Sequence, residues 1–189
     1  MRITGGIIRG RRLGKVKGLP IRPTSDTVRE SIFDILGQTL TNLRILDLFS
    51  GTGSLGIESL SRGAKKAVFV DNSHRAVAMI KNNLTICGYD KVSTIIRAKL
   101  PNGLSHIQDL EGGQFDVIFI DPPYGKGYIQ PTIHTLMDIK LLAKEGRIVV
   151  ESSRYANDPL PMNLSSLQLQ LTKTYGSTVI GFYSHHEES

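Results

Sequence analysis

Residues 47–56 read Asp47-Leu48-Phe49-Ser50-Gly51-Thr52-Gly53-Ser54-Leu55-Gly56, an acidic and glycine-rich segment that follows a short apolar run. The spacing of Gly51, Gly53 and Gly56 is typical of the turn between a strand and a helix in nucleotide-binding α/β domains. Glycine is favoured there because the absence of a Cβ lets the backbone approach a cofactor closely. The segment therefore predicts a cofactor site at the carboxyl end of a buried strand.

From residue 43 onward the chain alternates between strand and helix patterns. Apolar runs predict strands at Ile45–Phe49, Ala67–Asp71, Val92–Ile96, Val117–Ile120, Arg147–Glu151, Leu167–Thr174 and Ser177–Tyr183. Helical patterns fall between them at Leu55–Ser61, Ser73–Cys87, Pro101–Gln108 and Ile129–Ile139, and an earlier helix is expected between Ser25 and Gly37. Apolar strands separated by helices predict a parallel sheet covered on both faces. We expect a Rossmann-like α/β fold, with a seven-stranded, mostly parallel sheet and a C-terminal antiparallel hairpin.

A second motif, Asp121-Pro122-Pro123-Tyr124, lies directly after the apolar run Val117–Ile120. The Asp121 carboxylate and the Pro122 carbonyl can accept hydrogen bonds from both N–H groups of an exocyclic base amine, and the two prolines stiffen the turn that holds them. Tyr124 can stack on a base that has been turned out of its helix. The motif therefore predicts methyl transfer from S-adenosylmethionine to an exocyclic amine, with its four residues as the catalytic group.

Six residues are predicted to bind the cofactor: Asp47, Phe49, Gly51, Gly53, Asp71 and Ala98. The acid Asp47 favours S-adenosylmethionine over a dinucleotide. Its negative charge would repel the pyrophosphate of a dinucleotide, whereas it can bind the ammonium group of S-adenosylmethionine. Asp71 ends the second strand and can accept hydrogen bonds from ribose hydroxyls, although it could instead cap the next helix. Ala98 follows the third strand, where backbone groups can contact adenine.

The excess positive charge of the chain is confined to its first 30 residues. The whole chain has a formal net charge of +6, and residues 1–30 carry eight basic and two acidic residues, which gives the same value. Such a segment predicts contacts with nucleic-acid phosphates, and a basic surface that only aids solubility is the alternative. The residues predicted to contact RNA are Arg9, Arg11, Arg12, Arg22 and Arg29. We expect a basic N-terminal arm or hairpin at residues 1–23 and a methyltransferase domain at residues 24–189.

The composition is that of a single α/β domain. The chain has 189 residues, of which 40% are hydrophobic and 21% are charged. The single cysteine, Cys87, excludes an internal disulfide, and no cysteine–histidine cluster has the spacing of metal ligands, so no metal is expected. The N-terminus lacks the apolar stretch of a signal peptide, and no apolar run approaches the roughly 20 residues that span a bilayer. We therefore expect a cytoplasmic protein without a membrane partner.

Several segments together resemble the RsmD family of bacterial 16S ribosomal RNA (guanine-N2)-methyltransferases. They are Met1–Gly6, Arg9–Leu13, Arg22–Phe33, the glycine turn and the Asp121–Tyr124 motif, and the similarity extends from residue 1 to about residue 183. The resemblance implies the class I S-adenosylmethionine-dependent methyltransferase fold. It also implies a monomeric enzyme that methylates the N2 amine of one guanine, with the small ribosomal subunit or its rRNA as partner. Thr27 departs from the basic residue usual in the family, and Asp71 stands where the family often has Glu.

Three alternatives remain open at the level of sequence. An adenine-N6 methyltransferase acting on RNA or DNA would use the same tetrapeptide, although the short connections leave no room for the target-recognition insertion usual in free-standing DNA enzymes. A non-catalytic RNA-binding ribosome assembly factor would keep the basic arm but would not need the complete set of predicted cofactor residues. An NAD-dependent enzyme would share the glycine turn but would leave the Asp121–Tyr124 motif unexplained.

Overall fold

The computed structural model describes residues 1–14, 25–111, 113–156, 159–164 and 166–186. The chain divides into two units, Met1–Arg97 and Ala98–Ser189. The described part of the predicted N-terminal arm, residues 1–14, belongs to the first unit, and so does the glycine turn. The second unit contains the Asp121–Tyr124 motif.

The first unit is built around three parallel strands. Its elements are α1 (Asp26–Leu36), β1 (Arg44–Leu48), α2 (Ser54–Ser61), β2 (Lys66–Asp71), α3 (His74–Cys87), a 3-10 turn (Asp90–Val92) and β3 (Ser93–Arg97). The strand order is β3-β2-β1, with Leu46 opposite Val68 and Val68 opposite Thr94. The central residues of β1 and β2 are all buried, as expected for strands covered by helices. The three predicted strands and the helices between them are confirmed, with strand ends shifted by one residue at most.

Local capping signals set where these helices begin and end. The hydroxyls of Ser25 and Ser73 accept hydrogen bonds from backbone N–H groups in the first turns of α1 and α3. Gly88 follows α3 with a left-handed φ of 74°, which glycine adopts without a steric penalty. Within the described ranges, no helix is both long and apolar enough to cross a membrane.

The second unit combines one parallel pair of strands with an antiparallel extension. Its elements are α4 (Leu104–Glu111), β4 (Phe115–Ile120), α5 (Ile129–Asp138), β5 (Leu142–Ser153), β6 (Asn163–Leu164), β7 (Leu167–Tyr175) and β8 (Thr178–His185). The strand order is β4-β5-β8-β7-β6, in which β4 and β5 are parallel and the other pairs are antiparallel. The predicted C-terminal hairpin is confirmed as β7 and β8.

Two features of the second unit differ most from the prediction, and α4 and β4 also begin at Leu104 and Phe115 rather than at Pro101 and Val117. The described residues contain eight strands rather than seven, because β6 has only two residues and is too short to produce an apolar run. Strand β5 begins at Leu142 rather than at Arg147, since its first residues include Lys144 and Glu145 and therefore do not read as an apolar strand.

The described residues of the N-terminal arm are bound to helix α2 through Glu58. The Glu58 side chain is fully buried, and its carboxylate accepts hydrogen bonds from Thr4 N and Thr4 Oγ1 at 2.8 Å each and from Gly5 N at 2.7 Å. Two cations share this carboxylate: Arg62 Nη2 lies 3.0 Å from Glu58 Oε1, and Arg29 Nε lies 3.8 Å from Glu58 Oε2. Burial of a carboxylate is costly unless such partners replace its hydration, so Glu58 determines where the arm packs.

Asn83 of α3 forms a second link, between the arm and the glycine turn. Its side chain is fully buried. Asn83 Oδ1 accepts a hydrogen bond from Gly14 N at 2.8 Å, and Asn83 Nδ2 donates one to Thr52 O at 3.0 Å. The last described residue of the arm and the predicted cofactor turn are therefore held by the same side chain.

Candidate cofactor and catalytic sites

The carboxylate of Asp47, near the end of β1, is buried and only 2% exposed. Its Oδ2 accepts a hydrogen bond from Gly56 N at 2.9 Å, whereas Oδ1 has no hydrogen-bond donor among the described residues. Burial raises the pKa of Asp47 to about 8 from its ordinary 3.8; the Gly56 N–H opposes this shift, and the charge of Asp71 adds to it. A buried carboxylate with one oxygen still without a donor is suited to receiving a cationic group.

Asp71, at the end of β2, holds the glycine turn against the next helix. Its Oδ2 accepts a hydrogen bond from Gly51 N at 2.9 Å, and its Oδ1 accepts one from Ser73 N at 2.8 Å. The capping role considered for Asp71 is taken by Ser73, whose hydroxyl accepts a hydrogen bond from Ala76 N. Asp71 is half-buried, and each carboxylate oxygen retains a second lone pair, so ribose hydroxyls can still donate to it.

The glycine turn is held in a conformation that most residues avoid. Phe49, Gly51 and Gly53 have φ angles of 57°, 54° and 74°. The positive φ of Phe49 costs about 1–3 kcal/mol, which the surrounding structure has to offset. Ser50 contributes to this, because its hydroxyl donates to Asp47 O and accepts a hydrogen bond from the backbone of β2. Backbone strain of this kind is concentrated at ligand sites.

Two glycines allow α2 to approach β2 closely. A Cβ at Gly56 would lie 2.3 Å from Phe69 Cε1 and 3.1 Å from Asp47 Oδ2. A Cβ at Gly53 would lie 3.3 Å from Phe69 Cε1 and from Ile80 Cγ1. The close approach is what brings Gly56 N within hydrogen-bond distance of Asp47.

The structure brings five of the six predicted cofactor residues together in the first unit: Asp47, Phe49, Gly51, Gly53 and Asp71. Ala98 is the first residue of the second unit, where a tight turn follows it. Gly103 N donates to Lys99 O at 2.9 Å, and a Cβ at Gly103 would lie 2.6 Å from Ala98 Cβ. Among the described residues, no group of three or more His, Cys, Asp or Glu side chains could hold a metal ion.

The Asp121–Tyr124 motif follows the carboxyl end of β4 directly. Asp121 and Tyr124 are half-buried, Pro122 is buried and Pro123 is exposed. Tyr124 Oη donates a hydrogen bond to Glu151 Oε1 at 2.6 Å. Burial and this hydrogen bond both raise the pKa of Tyr124. The phenol is therefore held neutral, and its ring is fixed at the hydroxyl end.

Glu151 of β5 is a site residue that the sequence reasoning missed. It is 6% exposed and lies opposite Ile180 of β8. Thr178, also on β8, lies beside the Tyr124 hydroxyl and opposes the rise in the pKa of Tyr124. The sequence does contain an indication of this role: Glu151 is an acid at the end of the predicted apolar strand Arg147–Glu151, and a carboxylate in a buried strand requires a polar partner.

Three of the predicted RNA-binding arginines, Arg9, Arg11 and Arg12, are exposed on an N-terminal hairpin. Within residues 1–14, Arg2 and Arg12 form an antiparallel bridge, and Ile3 N donates to Arg11 O at 2.9 Å; the rest of the predicted arm, residues 15–23, lies outside the described residues. None of the three arginines forms an ion pair with any described residue, so all three are available to phosphates. The fourth, Arg22, lies outside the described residues.

Arg29, the fifth predicted RNA-binding residue, is fully buried in α1. Its Nη2 donates to Arg2 O at 2.6 Å and pairs with Asp26 Oδ1 at 2.8 Å, and its Nε faces Glu58. The structure therefore corrects the prediction for this residue: its charge is used inside the first unit, and it has no surface to offer to RNA. The prediction was based on charge and position in the sequence, which do not show burial.

The chain is similar to several known proteins. The model of the family described as Conserved hypothetical protein 95 matches residues 1–184. The Bacillus subtilis protein YlbH, provisionally named as an rRNA methyltransferase, is 36% identical over 183 residues, which cover 97% of this chain and 98% of YlbH. Ribosomal RNA small subunit methyltransferase D of Escherichia coli is 33% identical over 190 residues, which cover 100% of this chain and 91% of that protein.

A solved structure shows the same architecture. The Escherichia coli protein yhhF, provisionally named as a methyltransferase, superimposes with a TM-score of 0.83 at 30% identity, over 100% of this chain and 99% of that one. This similarity confirms the fold class predicted from the sequence, a mixed α/β fold with parallel strands and a C-terminal antiparallel hairpin.

Proposed function

The chain belongs to the family described as Conserved hypothetical protein 95, which is the RsmD family predicted from its sequence, and on that premise we propose that it is an rRNA methyltransferase. In this proposal it transfers a methyl group from S-adenosylmethionine to the exocyclic N2 amine of a guanine in small-subunit (16S) ribosomal RNA.

The proposal rests chiefly on the Asp121–Tyr124 motif, which follows β4 and is anchored through Tyr124 to a buried glutamate.

The glycine turn of the first unit fits S-adenosylmethionine better than a dinucleotide. The Asp71 carboxylate lies close enough to Asp47 for its negative charge to raise the pKa of Asp47, so the turn carries negative potential from Asp71. That potential would repel a pyrophosphate, whereas it attracts an ammonium group. In the proposed complex Asp47 Oδ1 would accept a hydrogen bond from the ammonium group, and Asp71 would accept hydrogen bonds from the ribose hydroxyls. The backbone at Gly51 and Gly53 would allow close contact with the cofactor. When bound, the cofactor supplies the electrophilic methyl group.

The tetrapeptide positions the amine that is to be methylated. The Asp121 carboxylate and the Pro122 carbonyl accept its two N–H bonds, which directs the nitrogen lone pair away from the base plane. Tyr124 provides a ring on which the base stacks, and its hydroxyl is held by Glu151 so that the ring keeps its orientation. Asp121 takes the proton that the amine releases after transfer.

The exposed arginines of the N-terminal hairpin contribute contacts with the RNA backbone. Arg9, Arg11 and Arg12 are exposed, while Glu58 and Asn83 hold the hairpin in place beneath them. A rigid support lowers the entropy lost when these side chains bind phosphates. We further propose that the protein acts as a monomer in the cytoplasm, on the small ribosomal subunit or its rRNA.

The direct test is transfer of a radiolabelled methyl group from S-adenosylmethionine to small ribosomal subunits that lack the native modification, followed by nucleoside analysis. We expect N2-methylguanosine. Formation of N6-methyladenosine would replace the proposed acceptor with adenine. Tight cofactor binding without transfer to subunits, free rRNA or DNA would contradict the proposed reaction and favour a non-catalytic assembly factor.

The Asp121→Ala variant tests the proposed catalytic role. We expect methyl transfer to fall at least about a hundredfold, as when one positioned hydrogen-bonding group is removed from a transition state, while cofactor affinity stays unchanged. Asp109→Ala is a matched control, because Asp109 is an exposed carboxylate of the same unit outside the motif. Loss of cofactor binding in Asp121→Ala, or equal loss of transfer in both variants, would refute the assignment.

A further inference from the structure

A groove of about 970 Å³ lies in the second unit, at the amino ends of β4 and β5. Its position follows from the strand register, because Leu142 and Arg147 of β5 line the groove and pair with Phe115 and Val117 near the start of β4. The polar side chains that line it are mainly hydrogen-bond donors and cations, and they include Lys140, Lys144, Arg147, Ser166 and Ser184, together with the acid Glu145.

The groove concentrates positive charge in a unit that is otherwise acidic. Residues 98–189 contain seven Lys and Arg against ten Asp and Glu, a net charge of −3. Three of those seven cations, Lys140, Lys144 and Arg147, line this one groove and are exposed. None of the three forms an ion pair with a residue that the structure describes. Cations that line one groove and pair with no acid in the described ranges produce a local positive potential that attracts anions.

An irregularity in β5 positions Lys144, one of these cations, at the groove. From Leu142 to Arg147 strand β5 advances five residues, while its partner β4 advances only two, from Phe115 to Val117. The extra residues form a bulge that displaces Lys144 and Glu145 from the regular ladder. Gly146 is buried within it, and a Cβ there would lie 2.6 Å from Leu142 Cδ1. The bulge is therefore packed, and it holds the exposed residues at the groove.

We infer that this groove binds phosphates of the RNA backbone and forms a second RNA contact, separate from the N-terminal hairpin. The inference rests on the proposed rRNA substrate. The groove is much larger than a single phosphate, and its cations are spread along it, which suits a strand of consecutive phosphates. Arginine and serine donate hydrogen bonds to phosphate oxygens, and lysine contributes a point charge.

The length of β4 gives the distance between the groove and the Asp121–Tyr124 motif. The groove lies at the start of β4 and Asp121 follows its end, so the six residues of β4 separate them by about 20 Å at roughly 3.3 Å per residue. That distance spans several nucleotides, since phosphates follow one another at roughly 3.4 Å along one strand of a DNA duplex. The nucleotides bound in the groove are therefore neighbours of the target base in the same RNA element and not the target itself.

The test compares two double variants that each remove two positive charges from the second unit. Lys144→Gln with Arg147→Gln alters the groove, and Arg154→Gln with Lys173→Gln alters exposed cations that do not line it. The equilibrium binding of each protein to an unmodified transcript of small-subunit rRNA is measured over a range of salt concentrations. Thermal melting of each variant shows that its fold is intact.

We expect the groove variant to bind more weakly, with a slope of log K against log[salt] that is smaller by about 1.4 to 1.8, the loss of two phosphate contacts. The control variant should keep the wild-type slope. Equal slopes for the groove variant and the wild type would overturn the inference, and so would an equal decrease in the control.

Binding is measured without cofactor, so this result does not depend on catalysis. A protein that binds the transcript through the groove but methylates nothing would retain the inference and lose the proposed reaction. If the protein methylates guanine but the groove variant binds the transcript with the wild-type salt dependence, the proposed reaction is retained and the inference is lost.

Discussion

Raising the pH from 6 to 8 is expected to destabilise the protein by about 2 kcal/mol through Asp47 alone. Burial raises the pKa of Asp47 to about 8 in the native state, against 3.8 for the ordinary carboxyl. Between these values the native state holds a proton that the unfolded chain has released, so stability falls as pH rises, by up to about 1.4 kcal/mol per pH unit. The decrease levels off near pH 8, where the native carboxyl also ionises.

The Asp47→Asn variant isolates this effect. Its amide keeps an oxygen that can accept the hydrogen bond of Gly56 N, but it has no titrating proton. The assay is urea unfolding of both proteins at pH 6, 7 and 8, and the quantity of interest is the difference between them, in which other titrating groups cancel. The wild type should lose about 2 kcal/mol more than the variant over this interval. An equal loss in both proteins would refute the reasoning.

The same carboxyl links cofactor binding to pH. An ammonium group beside Asp47 favours the ionised carboxylate, so binding should release a proton and tighten as pH rises toward 8, by up to about tenfold per unit. Calorimetry of S-adenosylhomocysteine binding in buffers of different ionisation enthalpy measures this release. Binding that is independent of pH, together with the expected stability change, would show that Asp47 is protonated but does not meet the cofactor.

Three further predictions concern packing and the motif. Gly56→Ala places a Cβ 2.3 Å from the Phe69 ring and should destabilise the protein by about 1–3 kcal/mol in urea unfolding; an unchanged midpoint would show that α2 can shift. Glu58→Ala removes the carboxylate that accepts hydrogen bonds from Thr4 and Gly5 and should cost about 3–5 kcal/mol. A loss under 1 kcal/mol would contradict its role in holding the arm. Tyr124→Phe removes one hydrogen bond to the buried Glu151 and should cost about 1–3 kcal/mol while cofactor affinity stays constant. A parallel loss of cofactor affinity would argue against the placement of Tyr124 beside the base.

The parts of the fold that were predictable are those encoded by local patterns. The strands of the first unit, the glycine turn at Gly51 and Gly53, and the hairpin of β7 and β8 each depend on hydrophobic periodicity or on glycine at positive φ. Strand β6 and the start of β5 were missed because two residues, or a bulge with Lys144 and Glu145, do not show a strand period.

The functional residues divide in the same way. The sequence by itself determined the acidic glycine turn, the Asp121–Tyr124 motif and the basic N-terminal segment, because each is a short run of residues whose chemistry can be recognised without knowing its neighbours. Only the tertiary structure decided that Glu151 holds Tyr124, that Glu58 holds the arm and that Arg29 is buried. The first contact joins residues 27 positions apart, and the hydrogen bonds from Thr4 and Gly5 to Glu58 join residues 54 and 53 positions apart. Whether a charge is paired inside or left free on the surface depends on what folding places beside it, and that is a property of the packed chain.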